Sequence, residues 1–104
     1  MSPLTHREPG LVGAALAKHN FCGLIADGHH VHPAAIKHAM TAKQEQGRIF
    51  LISDAMSTIG TDMSSFKLDG KQVFRKNGKL TLGDGTLAGA DISLLDAVLS
   101  LIHI

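Results

Sequence analysis

Two short apolar runs, each ending in an aspartate, organise the hydrophobic pattern of this chain. Phe21-Cys22-Gly23-Leu24-Ile25-Ala26 is followed by Asp27, and Ile49-Phe50-Leu51-Ile52-Ser53 by Asp54. Runs this short and rich in branched residues, stopped by polar or glycine-containing clusters, read as buried parallel strands. Between them Pro33 sits where a helix tolerates proline, in its first turn. Ile36, Ala39, Met40 and Lys43 then repeat at three and four residues and make one modest apolar stripe. Gln44 to Gly47 is expected to end that helix. Strand, helix, strand over about 30 residues predicts a βαβ unit, with parallel neighbouring strands and a right-handed crossover.

Upstream, Arg7-Glu8-Pro9-Gly10 is a turn that leads into a helical stretch from Leu11 to Lys18. Downstream, Asp69-Gly70, Asn77-Gly78 and Asp84-Gly85 are strong turn signals. Phe66-Lys67-Leu68, Val73-Phe74-Arg75 and Leu80-Thr81-Leu82 lie before and between them, which predicts an antiparallel meander with tight primed turns. Leu87-Ala88-Gly89-Ala90 reads as a small-residue loop. A closing helix carries Leu95, Val98, Leu99 and Ile102 on one apolar face. The pattern therefore gives two parallel strands, three helices and a hairpin excursion. These are too few layers to cover a parallel sheet on both faces.

Bulk properties narrow the function classes. A length of 104 residues allows one domain at most, and 44% hydrophobic with 18% charged residues is a globular composition. The formal net charge of +1, with no Tyr or Trp, gives no reason to expect nucleic acid or an anionic membrane surface as partner. No cationic-then-apolar signal opens the chain, and Leu11 to Ala17 is too short to span a bilayer, so a cytoplasmic location is expected. The single cysteine, Cys22, lies inside a strand pattern and fits a reducing compartment. Of the seven histidines, His19 and His38 stand beside lysines and His103 near the terminus. Only His29, His30 and His32 cluster.

Candidate chemistry starts from Asp54, since α/β folds place their chemistry at the C-terminal ends of strands. Either it is a general base or it merely caps the following turn, and the same choice applies to Asp27. His30-Val31-His32 has a spacing that zinc sites use, but it is bracketed by Gly28 and Pro33 and is two ligands where a catalytic zinc needs three. One histidine binding a phosphate or hydroxyl is the alternative, beside a solvated loop. Arg7 offers a guanidinium fork suited to phosphate, or a simple ion pair with Glu8. Leu87-Ala88-Gly89 has backbone N–H groups to offer a ligand. No P-loop, dinucleotide fingerprint or nucleophile elbow occurs.

Arg7-Glu8-Pro9-Gly10-Leu11, Ala26-Asp27-Gly28-His29-His30-Val31, Ser53-Asp54-Ala55 and Asp84-Gly85-Thr86-Leu87-Ala88-Gly89 together resemble N-acetylglucosamine-6-phosphate deacetylase, a family of the amidohydrolase superfamily, in order and spacing. The resemblance runs from Met1 to about Leu99. It implies an α/β fold in which residues 1–104 are a partial domain, truncated at both ends, of a metal-dependent hydrolase (β/α)₈ TIM barrel. They would cover its last strands and helices plus the antiparallel hairpin excursion. It also implies hydrolysis of N-acetylglucosamine 6-phosphate to glucosamine 6-phosphate and acetate, in amino-sugar catabolism. Asp54 would be the catalytic acid–base group. Arg7, Asp27, Gly28, His29, His30, Leu87, Ala88 and Gly89 would bind the substrate, with Arg7 and His30 on the phosphate. A divalent metal, zinc being the expected one, would take its ligands upstream of Met1, with none in this chain. The implied partner is a small sugar phosphate, with no nucleic acid and no membrane, and the parent enzyme is expected to be a homo-oligomer. The alternative readings are a truncated, catalytically inactive fragment lacking the metal ligands, and a metal-binding module built on His29, His30 and His32. The tail from Ser100 to Ile104 fits the closing helix only in part.

Overall fold

The computed structural model describes residues 1–43 and 47–102. The helix end expected over Gln44 to Gln46, and the tail residues His103 and Ile104, lie outside the described residues. The chain forms α1 (Gly10–Ala17), β1 (Asn20–Leu24), α2 (Pro33–Lys43), β2 (Gly47–Leu51), β3 (Ser65–Leu68), β4 (Lys71–Lys76), β5 (Lys79–Thr81), β6 (Leu87–Ala90) and α3 (Leu94–Ile102). It is an α/β protein with two sheets: a parallel pair, β1-β2, and an antiparallel meander in the order β3-β4-β5-β6.

The parallel pair runs in register from Asn20 opposite Gly47 to Leu24 opposite Leu51. The Ile52 N–H then donates to the Leu24 carbonyl and carries the pairing toward the strand ends (3.0 Å). Side chains alternate along each strand. Leu24, Ala26, Ile49 and Leu51 fall on one face, where they pack with Ile36 of α2 and with Ala97 and Leu101 of α3. Gly47 is obligatory at the start of β2. Its φ is +108°, and a side chain there would drive into the Asn20 backbone.

The stripe expected along α2 is present, with one change of character. Ile36 is fully buried, but Met40 is exposed and Lys43 is nearly sealed from solvent. The Lys43 ammonium donates to the carbonyls of Ala15 (2.7 Å) and Lys18 (2.5 Å) and to the Asn20 side-chain oxygen. The last carbonyls of α1 have no partner within their own helix. A lysine from the neighbouring helix supplies one, so its charge is buried but hydrogen-bonded.

In the meander, Asp69-Gly70 and Asn77-Gly78 have positive φ at both residues, as a primed two-residue turn requires. The third connection differs. Only Gly85 has positive φ there; the Gly85 N–H donates to the Leu82 carbonyl and the Leu82 N–H to the Thr86 carbonyl. This wider loop brings the chain back as β6, so Leu87–Ala90 is a strand and not the loop that its small residues suggested. The register shifts between Leu80 and Thr81, which leaves Ala88 as the extra residue of a β-bulge.

α3 corrects another expectation. Ala97 and Leu101 face the core, whereas Leu95, Val98, Leu99 and Ile102 look outward. The second face of the parallel pair is likewise open, with Phe21 74% and Phe50 48% exposed. A Cβ added to Gly23 would lie 3.2 Å from Ile52 and 3.5 Å from Phe50, which puts all three on this face. Contiguous apolar surface on a two-stranded sheet with unpaired edges favours self-association. The chain by itself is expected to bind a hydrophobic dye and to sediment as aggregates. Phe21→Glu with Phe50→Glu should raise the soluble fraction without loss of helical circular dichroism. An unaltered chain that sediments as a dye-free monomer would contradict this.

Candidate active site

Both strand-end aspartates are in place, and the structure gives them opposite surroundings. The Asp27 side chain is 2% exposed. Its Oδ1 accepts the backbone N–H groups of His29 (2.9 Å) and His30 (2.8 Å), and its Oδ2 meets His30 Nδ1 at 2.8 Å. Burial alone would raise this carboxyl. The His30 backbone and ring, helped by the His29 N–H, outweigh burial and hold it below the ordinary carboxylate value. An ionised carboxylate only accepts, so the proton of that contact lies on His30 Nδ1. Asp27 is thus the cap of its loop, and Gly28, at φ +78°, allows the chain to wrap around it.

Asp54 is free of that duty. Among the described residues its side chain accepts no backbone N–H, whereas Asp27 takes those two and three residues on; the Ala55 N–H donates to Ser53 Oγ (3.3 Å). The Asp54 carboxylate is 48% exposed, and His30 Nε2 lies 3.9 Å from it. That distance is too long for a hydrogen bond. His30 therefore stands between two carboxylates, one gripping Nδ1 and the other facing Nε2. Asp54 is one of three non-glycine residues with positive φ among the described residues, at +53°. Asp tolerates this region better than most residues, yet it is uncommon and is worth noting where it recurs at a strand end. Here it turns the Asp54 carbonyl toward the meander, where it accepts the Ala90 N–H (2.9 Å) beside a parallel bridge from Ala55 to Ala90.

The same seam brings the third sequence motif to Asp54. A Cβ on Gly89 would meet the Met56 side chain at 2.5 Å and the Asp54 carbonyl at 3.4 Å, so with glycine at 89 Met56 can lie against β6 beside Asp54. Leu87 and Ala88, with its bulge, precede it on the same strand. His29 turns away toward the β4-β5 turn: its Nε2 lies 3.5 Å from where a Gly78 Cβ would be. His32 Nδ1 accepts the Ala34 N–H (3.1 Å) at the start of α2. The three clustered histidines thus diverge, and among the described residues no three ligating side chains could together hold a metal. Arg7 lies exposed on the N-terminal loop. It has neither an ion pair with Glu8 nor a hydrogen bond to the His30–Asp54 pair among the described residues.

The sequence reading missed Arg75 of β4. Arg75 Nε donates to Asp91 Oδ2 (2.8 Å), and the same guanidinium reaches the loop after Asp54. The signal was present. Arg75 stands two residues from Val73, which is fully buried, so strand alternation puts a charge on the inner face, where it needs a partner.

No family model matches the chain. Individual proteins do. It is 43% identical over 99 residues to the N-acetylgalactosamine-6-phosphate deacetylase of Shewanella sp. (strain ANA-3), covering 94% of this chain and 25% of that protein. It is 44% identical over 99 residues to the N-acetylglucosamine-6-phosphate deacetylase of Vibrio furnissii, covering 94% of this chain and 24% of that protein. The crystal structure of N-acetylglucosamine-6-phosphate deacetylase from Pasteurella multocida superposes with a TM-score of 0.90 at 34% identity, over 98% of this chain and 27% of that one. Over nearly its whole length the chain is similar to N-acetylglucosamine- and N-acetylgalactosamine-6-phosphate deacetylases. It spans about a quarter of the length of these deacetylases. No helix among its described residues is long and apolar enough to cross a membrane.

The deacetylase relatives supply a background in which Asp27 can be tested. Consider a chimera carrying these residues in place of the matching quarter of the Shewanella protein. Asp27→Asn should lower its unfolding free energy by roughly 1.5–3 kcal/mol, the worth of hydrogen bonds to a charged group. Because the folded carboxyl titrates below the unfolded one, that difference should be full above about pH 4 and shrink as pH falls through the folded value. Denaturant midpoints measured from neutral to acid pH check it. A difference unchanged at the acid end would mean that the charge of Asp27 does not hold the loop.

Proposed function

We propose that these residues supply the acid–base side of a deacetylase site. In this reading an N-acetylhexosamine 6-phosphate, N-acetylglucosamine 6-phosphate in the first instance, is hydrolysed to the free amino sugar phosphate and acetate in amino-sugar catabolism. The observation that carries the reading is the contrast between the two aspartates: Asp27 is consumed by its loop, while the Asp54 carboxylate accepts no hydrogen bond among the described residues and stays open beside His30. A free carboxylate at a strand end is what a general base requires. Asp54 would accept a proton from the water that attacks the acetamide carbonyl. It would then deliver a proton to the nitrogen as the C–N bond breaks, since an amide anion is too basic to leave unprotonated.

His30, with its Nδ1 proton fixed by Asp27, presents Nε2 toward the same space and would contact the sugar phosphate, with Arg7 as its second cationic partner. Gly28, the His29 backbone and the strand Leu87-Ala88-Gly89 would complete the substrate-facing rim, the His29 ring being turned toward the β4-β5 turn. The uncovered face of β1-β2 supports the view that these strands belong to a (β/α)₈ barrel, whose interior such a face would line. The described residues do not offer a metal the three protein ligands of a catalytic zinc. A divalent ion enters this reading only with ligands from elsewhere in the fold, and no step above is routed through it. The open sheet edges and apolar face favour a second statement, that these residues alone turn over no substrate.

Two substitutions in the chimera test the assignment. Asp54→Asn keeps the shape but cannot accept or return a proton, so kcat should fall by at least the roughly 10²- to 10⁴-fold of a general acid–base group, with little change in stability. A mutant with near-normal kcat would remove Asp54 from the chemistry. Arg7→Ala should impair turnover of the 6-phosphate far more than that of the unphosphorylated sugar, by about 1.5–3 kcal/mol in transition-state binding. Equal losses on both substrates would make Arg7 structural.

A further inference from the structure

Beyond the bridge from Ala55 to Ala90, one side chain gathers the loop that follows Asp54. Arg75 Nη1 donates to the Thr61 carbonyl at 2.7 Å, with the carbonyls of Met63 at 3.3 Å and Thr58 at 3.4 Å. The Arg75 backbone N–H also donates to the Ser64 carbonyl (2.8 Å). On its other side Nε binds Asp91, whose neighbour Ala90 donates the N–H that holds the Asp54 carbonyl. The two segments that fix Asp54, its own downstream loop and the end of β6, are thus tied to one guanidinium. A lysine could not replace it, because an ammonium lacks the planar fork that serves a carboxylate and several carbonyls at once.

We propose that Arg75 is the positioning residue of Asp54: by pairing with Asp91 while holding the Thr58–Met63 carbonyls, it sets the strand-end geometry in which Asp54 accepts and returns its proton. The proposal rests on the acid–base reading of Asp54. Arg75 touches neither Asp54 nor a substrate. It acts through the Asp54–Ala90 seam, at the only point among the described residues where Asp54 is bonded to the meander. The left-handed φ of Asp54 makes that seam necessary, since a non-glycine residue keeps such a conformation only when its surroundings over-determine it.

The test is a double-mutant cycle in the chimera, with kcat and KM measured for Arg75→Ala, Asp54→Asn and the pair. Arg75→Ala is expected to lower kcat at least about tenfold with KM little changed, as for a misplaced catalytic group. Free guanidinium should restore part of the loss. In the Asp54→Asn background the same substitution should cost nothing further, because the group it positions no longer moves a proton. If Arg75→Ala does not fold, Asp91→Asn removes the charge of the pair with little change of shape and should give the same split and the same silence beside Asp54→Asn. Equal losses in both Asp54 backgrounds, or a raised KM with kcat intact, would overturn the positioning role and leave Asp54 as the base. An Asp54→Asn enzyme with full kcat would overturn both.

Discussion

Among the described residues, the parallel pair and the meander are joined at the backbone where Ala90 bridges Ala55 and donates its N–H to the Asp54 carbonyl. Elsewhere they meet through side chains, around Met56, Arg75 and His29. The bond needs three conditions, each visible in a residue. Asp54 must turn its carbonyl outward, which its left-handed φ achieves. Residue 89 must have no side chain, because Met56 crosses there. Residue 90 must be small enough to be buried completely, and Ala90 is. A neutral hydrogen bond contributes only about 0.5–1.5 kcal/mol net. So thin a seam does not fix the geometry of Asp54 alone, and the charge-assisted Arg75–Asp91 bond stands directly behind it.

The same local chemistry gives two carboxylates different work. Asp27 and Asp54 both end apolar strands and both precede small residues, so by pattern they are indistinguishable. What separates them is the path of the chain after each. Behind Asp27 the loop folds back so that the N–H groups of His29 and His30 meet the carboxylate, whereas after Asp54, itself at left-handed φ, the described residues offer the carboxylate no backbone N–H. The histidine between them inherits this asymmetry. Its Nδ1 side is fixed by a buried carboxylate held ionised, and its Nε2 side faces an open one.

Where the sequence was legible, one interaction dominated the local pattern. The two apolar runs became β1 and β2 in the expected parallel arrangement, and Asp69-Gly70 and Asn77-Gly78 became primed turns because only residues tolerant of positive φ stand there. It failed where the decisive partner was distant in sequence. Leu87-Ala88-Gly89-Ala90 has poor strand propensity, and it is a strand because the close passage of Met56 and Asp54 selects small residues. Lys43 looked like part of an apolar stripe, and its ammonium serves carbonyls 25 and 28 positions away. The outward face of α3 misled for the opposite reason: an amphipathic pattern says that a face is apolar, not which neighbour covers it.

The location of the site follows from how the sheet is built. β1 and β2 bury one face under helices and leave the other open, so little along their length holds them laterally. Their C-terminal ends are different. There Asp27 closes its loop with three hydrogen bonds, Asp54 meets Ala90, and Arg75 and Asp91 tie the flanking segments together. Polar restraint is concentrated at the strand ends, while the apolar restraint of the strand bodies is incomplete. A group that moves protons needs fixed direction more than it needs burial, and hydrogen bonds supply direction where hydrophobic contact does not. Asp54 can therefore be held in its orientation by the loops while its carboxylate stays half exposed, which a residue anchored by core packing could not do.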